Sequence, residues 1–199
     1  MKFGFQYEIT AENFVSDKTT GATLTPIYQV SAFSRESAEE LERVFNNKAP
    51  GFAYTRISNP TVSAFENRIN ALEKGLGAVA CSSGMAAVSM SLMNILRSGD
   101  EVIASSGLFG GTIDLFGDLK EFGITTRFVE HTTPKEIEPL INEKTRVIFA
   151  ELIGNPGLEV VDISAVARLA HSRGVPLILD STTATPYLER VHINAQRPS

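Results

Sequence analysis

The sequence lacks features that mark several large classes of protein. It contains one cysteine, Cys81, which excludes an internal disulfide and any zinc site built from several cysteines. Lysine and arginine number 18 against 23 aspartate and glutamate residues, so the formal net charge is −5 and no basic face is available for nucleic-acid phosphates. No apolar run approaches the roughly 18 residues of a membrane span, and residues 1–10 lack the pattern of a signal peptide. We therefore expect a cytoplasmic protein that binds neither nucleic acid nor membrane.

Common nucleotide, hydrolase and zinc motifs are also missing. Residues Gly75–Ala80 have the spacing of a dinucleotide fingerprint, but they precede a predicted strand, whereas that fingerprint must follow one. There is no Walker lysine loop, no Gly-x-Ser-x-Gly elbow and no His-Glu-x-x-His helix. Since His131, His171 and His192 are far apart in sequence, we expect no metal site.

The composition is that of a folded globular protein, with 43% hydrophobic and 21% charged residues. A chain of 199 residues fits one large domain, or one domain with an arm. Before residue 59 only Ser37–Phe45 is clearly helical, and there are too few periodic apolar positions for a separate core. We predict an amino-terminal arm over residues 1–58 and a main domain over residues 59–199.

After the arm, short apolar runs alternate with helical patterns. A helix is predicted over Thr61–Glu73, after the Asn-Pro start signal. The predicted strands are Gly77–Cys81, Glu101–Ala104, Ile124–Val129, Arg146–Ala150 and Pro176–Leu179. The later predicted helices are Met85–Leu96, Thr112–Phe122, Pro134–Asn142 and Ile163–Ser172, the last capped by Asp162. This alternation predicts an α/β fold in which a mostly parallel sheet is covered by helices on both faces, a three-layer αβα arrangement.

Unusual side chains follow several of the predicted strands. Ser83 and Gly84 open a helix, whose free amides attract an anion such as phosphate. Phe109 lies in a glycine-rich loop after the second strand, and Asn155 and Asp180 follow the fourth and fifth. Because the carboxyl ends of parallel strands meet at one crevice, we expect a phosphate site, a stacking ring, a polar anchor and an acid to converge there. Those parts suit pyridoxal phosphate (PLP), whose ring nitrogen needs an acidic neighbour.

Each of these residues also has an ordinary structural interpretation. Ser83 and Gly84 are common at helix starts, and an aspartate such as Asp180 is common in turns and caps. Phe109 alone is typical of a core, and the pair Asn155-Pro156 is typical of a turn. Convergence on one cavity would favour the functional interpretation over the structural one.

Five motifs of the chain, in order and spacing, resemble the Cys/Met-metabolism group of fold-type I PLP-dependent enzymes. They are Tyr54–Thr61, Ser83–Met85, Leu108–Thr112, Glu151–Pro156 and Asp180–Tyr187. The similarity runs from Thr20 to Leu188, nearly the whole chain. The resemblance implies the PLP-binding large domain of the aspartate-aminotransferase-like fold, preceded by an extended arm.

The resemblance also implies a cofactor-binding set. Its members are Tyr54, Arg56, Ser83, Gly84, Met85, Phe109, Asn155, Asp180 and Thr182. Gly84 and Met85 would give backbone amides to the cofactor phosphate, and Asp180 would pair with the pyridinium nitrogen. Asn155 would lie by the ring hydroxyl and Thr182 in the same loop as the aspartate. The arm residues Tyr54 and Arg56 would reach the phosphate of a neighbouring subunit, which implies a homo-oligomer, a dimer of dimers in the complete enzyme.

The chain departs from the family pattern in two places. Phe109 stands where the family usually has tyrosine, so the stacking ring is kept but the phenol is lost. The family's Schiff-base lysine follows the aspartate motif in a Ser-x-Thr-Lys sequence, and no such sequence is present. We therefore assign no catalytic residue in this chain. We expect an amino-terminal portion of a longer enzyme, without its carboxy-terminal domain and inactive by itself.

The segments Thr20–Thr23, Pro26–Gln29 and Tyr54–Ile57 look most like O-acetylhomoserine sulfhydrylases. For the complete enzyme, this resemblance implies γ-replacement on the amino acid O-acetylhomoserine with sulfide, giving homocysteine. Methionine γ-lyase and cystathionine γ-synthase or lyase share nearly all of these residues and remain alternatives. An alternative of another class is a non-catalytic fragment that binds cofactor or phosphate, or that forms oligomers.

Overall fold

The structure, a computed structural model, describes residues 20–191. The chain divides into two compact units between Ala80 and Cys81. Residues 1–19 of the predicted arm lie outside the described residues, and the predicted arm boundary at residue 58 stays a prediction. No helix in the described part of the chain is long and apolar enough to cross a membrane.

The first unit contains the two predicted helices, α1 (Ala38–Phe45) and α2 (Pro60–Glu73). Helix α1 begins after Ser37, whose hydroxyl accepts the Glu40 N–H at 3.1 Å. Helix α2 begins after Asn59, whose side chain accepts the Thr61 N–H at 2.8 Å, and it has proline at its first position. Both helix starts therefore follow from local capping chemistry that is visible in the sequence.

The predicted strand over Gly77–Cys81 is wrong. These residues are in no strand, and the Val79 residue is 81% exposed. The Ala80 N–H donates to the Glu66 carboxylate at 2.8 Å rather than to a neighbouring strand. An apolar run indicates that a segment can be extended, but a strand also needs a paired neighbour, and the described residues supply none here.

The second unit is built on a four-stranded sheet whose neighbouring strands are all parallel. Its strands are β1 (Glu101–Ser105), β2 (Thr125–Val129), β3 (Thr145–Glu151) and β4 (Leu177–Asp180). Their order across the sheet is β2-β1-β3-β4. The predicted parallel α/β fold is confirmed, with each of these strands within two residues of its predicted bounds.

Four helices of the second unit follow the predicted order, and a fifth, the short helix that follows β4, was not predicted. They are α3 (Gly84–Ile95), α4 (Gly110–Leu119), α5 (Pro134–Ile137), α6 (Ile163–Ser172) and α7 (Thr185–Leu188). Helices α4 and α5 are shorter than predicted, because each continues as a 3₁₀ turn, over Lys120–Phe122 and Glu138–Leu140. The second of these turns contains Pro139, which has no N–H to continue an α-helix.

Alternate side chains of the strands pack on opposite faces of the sheet. Val102 and Phe149 lie in a cluster with α3 and α4, whereas Ile103 and Ile148 lie in a second cluster with α5 and α6. All four side chains are almost completely buried. Helices therefore cover both faces of the sheet, and the predicted three-layer αβα arrangement is confirmed within this unit.

The amino-terminal end of the sheet carries an ion pair. Glu101, at the start of β1, accepts hydrogen bonds from the Arg127 guanidinium, one of them at 3.1 Å, and from the Asn142 amide at 2.8 Å. The hydrogen bonds from Arg127 and Asn142 lower the pKa of Glu101 from its ordinary value of 4.5 to about 2. This buried carboxylate is therefore charged and fully partnered by its own chain.

Candidate functional site

A cavity of about 430 Å³ lies at the carboxyl ends of β3 and β4 in the second unit. Seven of the nine predicted site residues line it: Ser83, Gly84, Met85, Phe109, Asn155, Asp180 and Thr182. They come from four separate segments, which the parallel sheet brings to one edge. The structure thus shows the predicted convergence, while the role of each residue toward a cofactor stays a prediction.

The amino end of α3 faces the cavity. Ser83 caps this helix: its hydroxyl accepts the Ala86 N–H at 3.1 Å, and its carbonyl accepts the Ala87 N–H at 3.0 Å. The N–H groups of Gly84 and Met85 have no hydrogen-bond partner within residues 20–191. A side chain at Gly84 would meet no atom within 4 Å, so the backbone is open to close approach. Two free amides at a helix start suit an anion.

Asp180, the last residue of β4, supplies a carboxylate at the same edge. Its Oδ1 accepts both the backbone N–H of Thr182, at 2.8 Å, and the Thr182 hydroxyl. No donor among the described residues bonds to its Oδ2, and no cationic side chain there pairs with it. Asp180 is therefore held in place by Thr182 through one oxygen, while the other remains available to a cationic group.

Phe109 presents its ring to the cavity from the start of α4. The residue is 48% exposed and lines the cavity, so part of its ring is accessible to a ligand. Gly111 leaves room for the ring, because a Cβ there would lie 2.8 Å from Cε1 of Phe109. The exposed ring can cover a flat ligand.

Asn155 lines the cavity from the loop after β3. The adjacent Gly154 packs against the loop after β1, because a Cβ on Gly154 would lie 2.7 Å from the backbone oxygen of Gly107. Only glycine permits so close an approach of the two loops. The peptide bond between Asn155 and Pro156 is cis.

Sequence reasoning missed Glu151, the last residue of β3, as a member of the site. Its Oε1 accepts the Phe109 N–H at 2.7 Å, and its Oε2 accepts the Asn155 N–H at 3.2 Å. In the β3–β4 register Glu151 is paired with Asp180. Burial raises the pKa of the Glu151 carboxyl, and the Asp180 charge raises it further, while the two backbone N–H groups lower it. Two signals in the sequence pointed to it: Glu151 follows a predicted buried strand, and it is the first residue of the Glu151–Pro156 motif.

The two remaining predicted residues, Tyr54 and Arg56, belong to the first unit. They line a cavity of about 880 Å³ there, and the Arg56 guanidinium carbon lies 5.6 Å from the centre of the Tyr54 ring. Their predicted contact with the phosphate of a neighbouring subunit stays a prediction.

The residues of the second-unit cavity fit PLP. Free amides of Gly84 and Met85 match its phosphate, the Phe109 ring matches its flat heterocycle, and the open oxygen of Asp180 matches its ring nitrogen. In the described ranges there is no group of three or more His, Cys, Asp or Glu side chains that could hold a metal ion. The free amides and the open carboxylate oxygen of the cavity suit a ligand with an anionic phosphate and a protonated ring nitrogen.

Comparison with known proteins gives the same result. Residues 8–192 match the family described as Cys/Met metabolism PLP-dependent enzyme. An O-acetyl-L-homoserine sulfhydrylase of Leptospira meyeri is 39% identical over 173 residues, which are 86% of this chain and 39% of that protein. An L-methionine gamma-lyase of Fusobacterium nucleatum subsp. polymorphum is 41% identical over 172 residues, which are 85% of this chain and 44% of that protein.

Solved structures agree with the sequence matches. A Campylobacter jejuni structure, described as an O-acetylhomoserine (thiol)-lyase with pyridoxyl-lysine monophosphate, has a TM-score of 0.90 and 31% identity. The match covers 98% of this chain and 48% of that one. Cystathionine gamma-lyase from Lactobacillus plantarum matches with a TM-score of 0.87 and 31% identity, over 97% of this chain and 48% of that one. The chain thus spans less than half of the length of these relatives.

Proposed function

The chain belongs to the Cys/Met metabolism family of PLP-dependent enzymes, and we propose that the whole protein makes homocysteine from O-acetylhomoserine and sulfide. The observation that carries the proposal is the cavity of about 430 Å³ at the carboxyl ends of β3 and β4. It combines two free amides, an exposed aromatic ring and a carboxylate with an open oxygen. When bound there, PLP supplies the electron sink for reactions at the α and β carbons of an amino acid.

The amino end of α3 would bind the cofactor phosphate. The N–H groups of Gly84 and Met85 donate to phosphate oxygens, and the helix dipole adds to the attraction. Ser83 fixes the geometry, because its hydroxyl and carbonyl hold the next two amides of the helix. This end of the site would determine where the cofactor lies and would take no part in moving protons.

Asp180, Asn155 and Phe109 would hold the ring of the cofactor. Oδ2 of Asp180 would accept the N–H of a protonated ring nitrogen and favour that protonated form, while the two hydrogen bonds from Thr182 hold the carboxylate in place. Asn155 and Phe109 also line this cavity; the Asn155 side chain would bind the ring hydroxyl, and the Phe109 ring would cover one face of the cofactor and exclude water. Together these contacts would fix the orientation of the cofactor ring and leave only one of its faces open to the substrate.

The choice of leaving group rests on Phe109. Its ring has no ionisable hydrogen and therefore cannot protonate a departing thiolate. Acetate leaves as a stable carboxylate and needs no such proton, which supports an O-acetyl substrate over a thioether. Methionine γ-lyase and cystathionine γ-synthase or lyase activities remain the alternatives, since the sulfhydrylase and the γ-lyase are similar to this chain to nearly the same degree.

An assay of the whole protein with PLP separates these activities. O-acetylhomoserine with sulfide should give homocysteine, whereas methionine alone should give methanethiol at least about tenfold more slowly, because its leaving group lacks a proton donor. Turnover of methionine equal to or faster than that of O-acetylhomoserine would contradict the proposal and favour the γ-lyase.

The proposal extends to assembly and location. Tyr54 and Arg56 line one cavity in the first unit, and the Arg56 guanidinium can bind phosphate in a bidentate manner. We propose a homo-oligomer, a dimer of dimers, in which this arginine binds the cofactor phosphate of a neighbouring subunit. A single cysteine and no apolar run of membrane-spanning length support a cytoplasmic location.

A further inference from the structure

Glu151 is a buried carboxylate without a cationic partner in the described part of the chain. The residue is 8% exposed, and both of its oxygens accept backbone N–H groups, one from each of two loops. Placing a charge there costs free energy, since no cation compensates for the lost water. An apolar or amide side chain of similar volume would be the less costly solution if the position only filled space.

The two loops that Glu151 joins carry the ring and the amide of the proposed PLP site. The Phe109 N–H lies at the start of α4, a helix with no side-chain cap and no acidic residue in its first turn. Glu151, at the end of β3, thus supplies the negative charge that the first turn of α4 lacks. The Asn155 N–H lies beyond Gly154, whose backbone touches the loop after β1.

We propose that Glu151 is the positioning residue of this cavity, which sets the Phe109 ring and the Asn155 side chain at the spacing of one PLP ring by binding both backbones. This inference rests on the proposed function. Glu151 acts through the two residues it holds, and its own oxygens are occupied by their N–H groups. The role requires both oxygens, because each one serves a different loop.

If Glu151 served only to stabilise the fold, its charged form would favour folding, and its replacement would lower the free energy of unfolding. Burial raises the pKa of Glu151, which means that its charged form opposes folding at neutral pH. Replacing it with glutamine removes that penalty and one of the two N–H acceptors. We therefore expect Glu151→Gln to keep the fold while the cofactor site loses its geometry.

The test uses the 199-residue chain and pyridoxamine 5′-phosphate, which has the ring and phosphate of PLP but no aldehyde to react with surface lysines. Wild type, Glu151→Gln and the control Glu121→Gln are titrated, with the dissociation constant and the induced circular dichroism of the bound ring as readouts. Glu121 is an exposed acid of the same unit, so its variant loses the same charge. Thermal unfolding is recorded for each protein.

We expect Glu151→Gln to weaken binding at least about fivefold and to reduce the induced dichroism at saturation. Its unfolding midpoint should stay within about 4 °C of wild type. Glu121→Gln should match wild type in every readout. Glu151→Asp, which keeps the charge but is one methylene too short to reach both loops, should weaken binding as well.

Three results would overturn the inference. Equal binding and dichroism in wild type and Glu151→Gln would remove the positioning role and leave the cofactor assignment intact. Full binding by Glu151→Asp would show that charge alone matters at this position. Absence of ligand binding by the wild-type chain would overturn both this inference and the assigned cofactor site.

Discussion

Two buried glutamates at opposite ends of the sheet differ in their partners, and the difference indicates which end of the sheet binds a ligand. Glu101 opens β1 and Glu151 closes β3, and they are 7% and 8% exposed. The pKa of Glu101 is lowered to about 2, because Arg127 and Asn142 donate hydrogen bonds to it. The pKa of Glu151 is raised, because burial is not offset by a cation. The difference teaches that, among residues 20–191, the acid at the amino-terminal end of the sheet has its cationic partner, whereas the acid at the carboxyl-terminal end has none.

The same contrast extends to the neighbours of the two acids. Around Glu101 the polar groups bond to one another, whereas around Glu151 the open oxygen of Asp180 and the amides of Gly84 and Met85 lack partners in the described residues. Unpaired groups of both signs at one edge match a ligand that carries an anion at one end and a cation at the other.

The largest effect is expected for Asp180→Asn. The amide keeps the shape but cannot hold a proton on the ring nitrogen of the ligand, so binding of pyridoxamine 5′-phosphate should weaken by about 30-fold, or about 2 kcal/mol. Asp118→Asn, at an exposed position of α4, is the matched control and should bind as wild type does. Isothermal titration calorimetry measures both affinities. Equal affinities of Asp180→Asn and wild type would contradict the assignment of the ligand site to the carboxyl-terminal end of the sheet.

The next effect concerns the contact between the two loops of the carboxyl-terminal edge. Gly154→Ala places a Cβ 2.7 Å from the backbone oxygen of Gly107, so the loops must separate at a cost of about 2 kcal/mol of unfolding free energy. Gly157→Ala is the control, because a Cβ there meets no atom within 4 Å. Urea unfolding should show a loss for the first variant alone, and equal stabilities would contradict the close packing.

A smaller effect is expected at the amino-terminal end. Glu101→Gln should lower the unfolding free energy by about 1 kcal/mol, a modest value because the Arg127 side chain is 43% exposed and screened by water. Binding of pyridoxamine 5′-phosphate should not change. A loss of affinity equal to that of Asp180→Asn would break the contrast between the two ends.

The contribution of Glu101 to the free energy of unfolding should depend on pH in a definite direction. Because the folded-state pKa of Glu101 is lowered, its stabilising contribution is present above the ordinary value of 4.5 and is lost as the pH falls toward about 2. Urea unfolding at a series of acidic pH values should therefore show a shallower decline in Glu101→Gln than in wild type. Parallel declines would contradict the pKa assignment.

Sequence patterns predicted the sheet and most of the cavity, because the carboxyl ends of parallel strands meet wherever they occur. The sequence alone therefore predicted that Phe109, Asn155 and Asp180 lie together, and all three line the cavity. The strand over Gly77–Cys81 was wrong because pairing depends on a neighbour that a local pattern does not contain. Glu151 was missed because its partners are backbone N–H groups, one of them 42 residues away, and such groups have no signature in the sequence.

The most direct test of the cofactor site compares pyridoxamine 5′-phosphate with pyridoxamine, the same ring without its phosphate. Calorimetric titration of the wild-type chain should show one saturable site, at least about tenfold tighter for the phosphate form, because the amides of Gly84 and Met85 have no partner among the described residues and can bind the phosphate. Equal affinity for the two compounds, or no binding of either, would contradict the assignment of this cavity to PLP.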